Sequence, residues 1–299
     1  MKAVDAIHGV IPALTLSLND EGTIAFDVME RQISYLIHGG ISGLFVNGTT
    51  GEGAFLSSVE KRTVLGFVRS IVGTRIPLYA VCLQPSTEAV IQEIREIEGE
   101  QPDYVTAVTP YYYPADQAVI EDHFTKIADA SPVPLVVYDI PGNTGNTISA
   151  ETLIALSKHP NIVGVKDSSG DFSKFCKVFL NVDHSSFACI QGDDYLNGGA
   201  LLLGAPAVVT GMGNVRIEPF VRMYAAARQC DIESVRESQL LMFQMGEIFD
   251  LVHDTISCVK AGLEILGRGS RRMKLPSMTA SEAQVEAIRG VLEFLGLLE

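Results

Sequence analysis

An α/β fold in which eight parallel strands, each followed by a helix, close into a barrel and continue into a helical extension is the class this sequence predicts. Three observations predict it. Short apolar runs alternate with stretches carrying apolar residues at helical spacing, and eight such pairs precede Cys230. The runs are continuously apolar rather than alternating, which suits parallel strands covered on both faces. The 299 residues match one such barrel, which typically needs about 250.

The elements follow in order. Gly9 to Leu16 reads as strand one, with turn chemistry at Asn19-Asp-Glu-Gly22 and a helix from Phe26 to His38 ended by Gly39-Gly40 as a left-handed cap. Gly43 to Val46 is strand two, and Ser57 or Ser58 caps a helix to about Val72. Pro77 to Cys82 is strand three, followed by a helix opened by Ser86; Tyr104 to Thr109 is strand four, followed by Asp116 to about Ala130. Leu135 to Tyr138 is strand five with a helix from Ser149 to Ser157, and Ile162 to Lys166 is strand six with a helix from Phe172 to Phe179. Ser186 to Ile190 with Asp193 to Leu203, then Ala207 to Thr210 with Glu218 to Arg228, complete eight units. Such a series closes most naturally into a TIM (β/α)8 barrel. An open doubly wound sheet would need a glycine-rich phosphate loop after strand one, and Pro12-Ala-Leu-Thr-Leu16 is not one. The sequence therefore divides into a barrel over residues 1–230 and a helical extension over residues 231–299, packed on the barrel.

Composition excludes other classes. A net charge of −14 with scattered Lys and Arg gives no basic face for nucleic acid. No apolar run reaches about 18 residues, so no membrane partner is expected, and an acid at Asp5 interrupts any signal-like start. Five cysteines without CxxC spacing read as reduced, cytoplasmic thiols, with Cys82 and Cys189 as small hydrophobes in strands. The six histidines, His8, His38, His123, His159, His184 and His253, share no metal-ligand spacing and none ends a barrel strand, so no metal site is expected. No elbow motif supports a nucleophilic serine or cysteine.

In such a barrel, chemistry collects where strands end. Standing there are Gly48-Thr49-Thr50-Gly51-Glu52 after strand two, Tyr111, Tyr112 and Tyr113 after four, Tyr138 on five, Lys166 on six, Gly192-Asp193-Asp194 after seven and Thr210 on eight. Taken singly, each has a bland reading: a lysine reaching water, a Thr-rich turn, a core tyrosine, acids capping a helix. Together at consecutive strand ends they form a coherent set. A desolvated lysine amine can attack a carbonyl and form a Schiff base, a neighbouring phenol can shuttle protons, and a Gly-Thr-Thr-Gly turn suits the carboxylate of a 2-oxo acid.

These residues resemble the dihydrodipicolinate synthase and N-acetylneuraminate lyase family, pyruvate-dependent class I aldolases built on a TIM barrel. The likeness rests on Gly48-Thr-Thr-Gly-Glu52, Thr109-Pro-Tyr-Tyr112, Tyr138-Asp-Ile-Pro-Gly142 with Thr144-Gly145, Gly164-Val-Lys-Asp167 and Gly192-Asp-Asp194. It implies a Schiff base with pyruvate on Lys166, no other cofactor, a proton relay through Tyr138 and Thr49, and the pyruvate carboxylate on Thr50. It also implies that Tyr112 serves a neighbouring subunit in a homotetramer built from two tight dimers. Asn143 stands where the synthases usually carry an arginine after Tyr-Asn-Val-Pro-x, and a neutral amide cannot make a bidentate carboxylate clamp. The segment from Gly53 to Lys61 lacks the histidines of lysine-regulated synthases, and Val81-Cys-Leu-Gln-Pro85 departs from their usual Gly-Thr-Gly. The sequence thus points to a lyase acting on pyruvate and an aldehyde, with a 4-hydroxy-2-oxo sugar acid preferred and Asp193 and Asp194 taking its hydroxyls. Condensation of pyruvate with aspartate semialdehyde is the alternative. A barrel that binds without catalysing is disfavoured, because Lys166, Tyr138 and both threonines are present.

Overall fold

A computed structural model describes residues 3–252 and 254–298. Met1, Lys2, His253 and Glu299, which the sequence reading includes in its N-terminal stretch, histidine set and extension, lie outside the described residues. Eight strands form one sheet: β1 (Gly9–Pro12), β2 (Leu44–Val46), β3 (Leu78–Cys82), β4 (Tyr104–Val108), β5 (Leu135–Asp139), β6 (Ile162–Asp167), β7 (Ala188–Gln191) and β8 (Ala207–Thr210). All pair in parallel, in ring order from β1 through β8 and back to β2. A parallel bridge between Ala13 and Phe45 closes the ring, with the Leu14 N–H donating to the Phe45 carbonyl at 2.9 Å. The eight-stranded TIM barrel is the expected fold.

Inward residues such as Ile11, Phe45, Tyr79, Val136, Ile190 and Val209 fill the barrel, and Tyr79 stacks on Tyr104 with centroids 4.6 Å apart. The outward residues meet the helices α1 (Phe26–His38), α2 (Ser58–Val72), α3 (Thr87–Ile97), α4 (Gln117–Ala130), then, past the short α5 (Pro141–Thr144) that adds no residue to this layer, α6 (Ala150–Leu156), α7 (Phe172–Phe179), α8 (Asn197–Leu203) and α9 (Glu218–Arg228), in a second, larger apolar layer. Caps set the helix starts: Ser57 closes a capping box with Glu60, and Ser86, Asp116, Ser149 and Asp171 each accept a backbone N–H of the first turn.

Where boundaries differ from expectation, a hydrogen bond explains it. Strand one stops at Pro12 because its partner β8 turns at Thr210 into the Met212–Asn214 turn, and the Asn214 amide takes the Ala13 carbonyl at 2.7 Å. Ser186 belongs to a turn rather than to β7, since its N–H and that of Phe187 return to the Asp183 carbonyl. Residues 193–196 precede α8 as a turn, because the two aspartates bond Tyr195 and Met212 N–H groups instead of capping a helix. Gly40, at φ +85°, is the left-handed residue after α1, while Gly39 keeps a helical φ of −69°.

The tail forms α10 (Ile232–Gly246), α11 (Thr255–Ile265) and α12 (Glu282–Phe294). No helix among the described residues is long and apolar enough to cross a membrane. Helix α10 lies against α9 and α8, but α11 reaches over the barrel mouth, where Lys260 pairs with Glu52. Both side chains are fully buried, and the second Glu52 oxygen accepts the Lys274 N–H at 2.7 Å. Burial pulls the Lys260 ammonium down and the Glu52 carboxylate opposes it. Removing one member of such a pair strands a buried charge. Lys260→Met should therefore lower the unfolding free energy by about 3–5 kcal/mol in urea titrations, and an unchanged midpoint would contradict this role for the pair.

Candidate active site

Strand alternation places Tyr138 and Lys166 side by side in register on β5 and β6, both turned inward. Lys166 is 5% exposed. Its Nζ lies 3.8 Å from the centroid of the Tyr138 ring and 4.5 Å from that of Phe45. The amine rests over the face of the Tyr138 ring. The Tyr138 hydroxyl is 3.5 Å from Thr49 Oγ1, at the outer edge of hydrogen-bonding range.

Four lysines among the described residues are buried, and three of them have carboxylate partners: Lys61 with Glu93, Lys174 with Asp139 and Asp167, and Lys260 with Glu52. For Lys166, no carboxylate stands within ion-pair distance among the described residues. A buried amine set against aromatic faces, with no role in an ion pair, is one that covalent chemistry can use.

Lys166 opens on a cavity of about 300 Å³ that Thr49, Thr50, Tyr138, Asn143, Asp193 and Asp194 help to line. The Gly48–Glu52 turn sets the threonines there. Asn47 and Glu52 bracket it with left-handed φ of 61° and 55°, and a Cβ on Gly53 would stand 1.8 Å from the Asn47 carbonyl oxygen. Gly48 itself is buried and accepts the Gly51 and Gly53 N–H groups, so it shapes the turn without facing the cavity. Gly192 lines the cavity for a steric reason: a Cβ there would meet Lys166 Cε at 2.8 Å and Ser168 Oγ at 2.3 Å.

Other expected ligands need correction. Thr210 is fully buried, accepts the Gly213 N–H at 2.8 Å and lies outside the residues that line the cavity, so it supports the site from beneath. Asp194 accepts from the Met212 N–H and the Asn197 amide, and burial pushes its carboxyl up to about 6. Each Asp194 oxygen holds one bond to the framework, and both acids line the cavity, Asp193 with one oxygen on the Tyr195 N–H. Tyr112 is 83% exposed at φ +80° and outside this chain's cavity.

The structure adds Ser168, Tyr195, Phe249, Thr255, Ile256 and Val259 to the lining. Ser168, two residues past Lys166, had a strand-end signal. The tail residues had none, because helical spacing reveals an apolar face without saying what it covers.

A barrel whose buried, unpaired lysine faces a tyrosine and a threonine turn defines an enzyme that handles carbonyl carbon. The profile of the Dihydrodipicolinate synthetase family matches residues 6–294, and the chain belongs to that family, as a lyase among its pyruvate-dependent class I aldolases. A 4-hydroxy-tetrahydrodipicolinate synthase of Methanospirillum hungatei is 33% identical over 289 residues, covering 95% of this chain and 98% of its own. One from Neisseria gonorrhoeae is 30% identical over 298 residues, covering 98% and 100%. Among solved structures, a chloride-inhibited dihydrodipicolinate synthase from Acinetobacter baumannii complexed with pyruvate matches with TM-score 0.92 at 27% identity, over 98% of this chain and 100% of that one.

The Gly192 geometry yields a direct prediction. Gly192→Ala should fold as the parent does, judged by circular dichroism, yet lose about 100-fold in turnover, because Lys166 must shift by the order of an ångström. Parental turnover in the variant would show that the stem of Lys166 does not need that space.

Proposed function

We propose that this chain makes and breaks a carbon–carbon bond between pyruvate and an aldehyde through a Schiff base on Lys166. The observation that carries the reading is the buried lysine without a carboxylate at the mouth of the barrel. The Lys166 amine adds to C2 of pyruvate, and loss of water from the carbinolamine leaves the imine. Tyr138, linked to Thr49, supplies and removes the protons of that step; the hydroxyl of Thr50 receives the carboxylate. Loss of a proton from C3 gives an enamine, whose carbon attacks the aldehyde. Hydrolysis then returns the amine, and cleavage is the same sequence reversed.

For the aldehyde, the relatives are named 4-hydroxy-tetrahydrodipicolinate synthases, which supports condensation with aspartate semialdehyde ahead of the sugar-acid substrate that the sequence favours. Asn143 keeps the second reading in play: it lines the cavity where a guanidinium would meet the aldehyde's carboxylate, and its amide serves a hydroxyl as well. Side-by-side kinetics separate them. A kcat/KM for aspartate semialdehyde far above that for cleavage of any 4-hydroxy-2-oxo sugar acid establishes the synthase, and the opposite order establishes the lyase. Either way Tyr138→Phe should cost about 10²- to 10⁴-fold in kcat, and full activity in that variant would remove the phenol from the relay.

The assembly belongs to the same proposal. In this reading Tyr112, exposed in the single chain, serves a neighbouring copy in a homotetramer. A solved synthase variant described as monomeric matches this chain with TM-score 0.93 at 26% identity, so likeness alone does not fix the assembly. Sedimentation should give a tetramer, with Tyr112→Phe slower in turnover at unchanged mass; an active monomer would overturn both.

A further inference from the structure

Each of the two inward residues at the centre of the site is followed directly by an aspartate: Tyr138 by Asp139 and Lys166 by Asp167. Strand alternation sends those aspartates outward, behind the barrel wall, where they sit in register with each other as Tyr138 does with Lys166. Both are buried, and so is Lys174, from the first turn of α7. The Lys174 ammonium donates to Asp139 and lies 3.3 Å from Asp167 Oδ2. The remaining oxygens bind backbone: Asp139 Oδ1 accepts the Ile148 N–H at 3.3 Å, and Asp167 Oδ1 the Ser169 N–H at 2.9 Å. The strand ends are further laced by the Ser168 N–H on the Asp139 carbonyl at 2.9 Å and the Gly192 N–H on the Asp167 carbonyl at 2.8 Å.

From this arrangement we infer that Lys174 is a positioning residue for the reaction: by holding Asp139 and Asp167 together behind the wall, it fixes the ends of β5 and β6 so that Tyr138 and Lys166 meet in front of it. The inference rests on the Schiff-base reading of Lys166. Its physical content is a two-to-one charge ratio. One buried ammonium serves two carboxylates, so without it two like charges face each other across adjacent strands, in a setting where repulsion is poorly screened. The strands relieve that repulsion by separating, and any separation there moves the phenol away from the amine. Lys61 and Lys260 answer one carboxylate each and follow no such pair.

The test follows reduction of the pyruvate imine by borohydride, with rates taken per folded molecule as judged by circular dichroism. The parent protein should form a reduced pyruvate adduct; if it does not, the Schiff-base reading fails before Lys174 is in question. With the parent trapped, Lys174→Met should lower both the trapping rate and kcat/KM for pyruvate by about tenfold or more. Replacing both carboxylates as well, in Asp139→Asn/Asp167→Asn/Lys174→Met, should recover a large part of that loss, because the repulsion is gone. A Lys174→Met protein that traps pyruvate at the parental rate, or a triple variant no faster than the single one, overturns the inference. Should Lys174→Met not fold, Asp167→Asn takes its place with an expected loss of about threefold, and a parental trapping rate there counts against the inference equally.

Discussion

The site depends on one electrostatic arrangement: a buried lysine with no carboxylate within ion-pair distance among the described residues. Burying an ammonium is costly, and proteins usually answer it with a carboxylate. This chain does so for Lys61, Lys174 and Lys260. For Lys166 it supplies the faces of Tyr138 and Phe45. Ring faces hold a cation weakly compared with a carboxylate, so the amine stays available to a carbonyl carbon. The other features of the site serve that arrangement. Gly192 leaves room for the stem, Thr49 reaches the phenol, and the acids behind the wall keep β5 and β6 aligned.

Two buried ion pairs connect this centre to the rest of the fold. Glu52 ends the Gly48–Glu52 turn that presents Thr49 and Thr50, and it is held by Lys260 of α11 and by the Lys274 N–H. The tail thus bears on the geometry of the threonine turn as well as covering the cavity through Thr255, Ile256 and Val259. On the opposite side, Lys174 binds the strand ends to α7. Such pairs add little to stability compared with an apolar core of equal volume, but they fix one geometry, because each charge has one place where it is answered.

Much of this was legible from the amino-acid order. The period of apolar runs yields the strand count, and the residue that ends each run yields the mouth of the barrel; Lys166, Tyr138, Thr49 and Thr50 stand out in that way, whereas Asn143 is marked only by the family resemblance. What stayed hidden depends on contacts between distant segments. Thr210 stands at a strand end like the others, but the turn after it folds back and its hydroxyl accepts the Gly213 N–H. Asp194 reads from sequence as a partner for hydroxyls, and only the structure shows that it also holds the Met212 N–H while it lines the cavity. The lining residues of α11 carry no local mark, since an apolar helical face looks the same over a core and over a cavity. The pairing of Asp139 with Asp167 was written in the sequence as an acid after each inward residue, and only the register of β5 on β6 turns that repetition into one cluster.

The most direct measurement is a crystal structure after soaking with pyruvate. The account predicts continuous electron density from Lys166 Nζ to C2 of the ligand, with the ligand's carboxylate at Thr50 and the Tyr138 hydroxyl beside the new C–N bond. Pyruvate bound without a covalent link to Lys166, or joined to a different lysine, would contradict it.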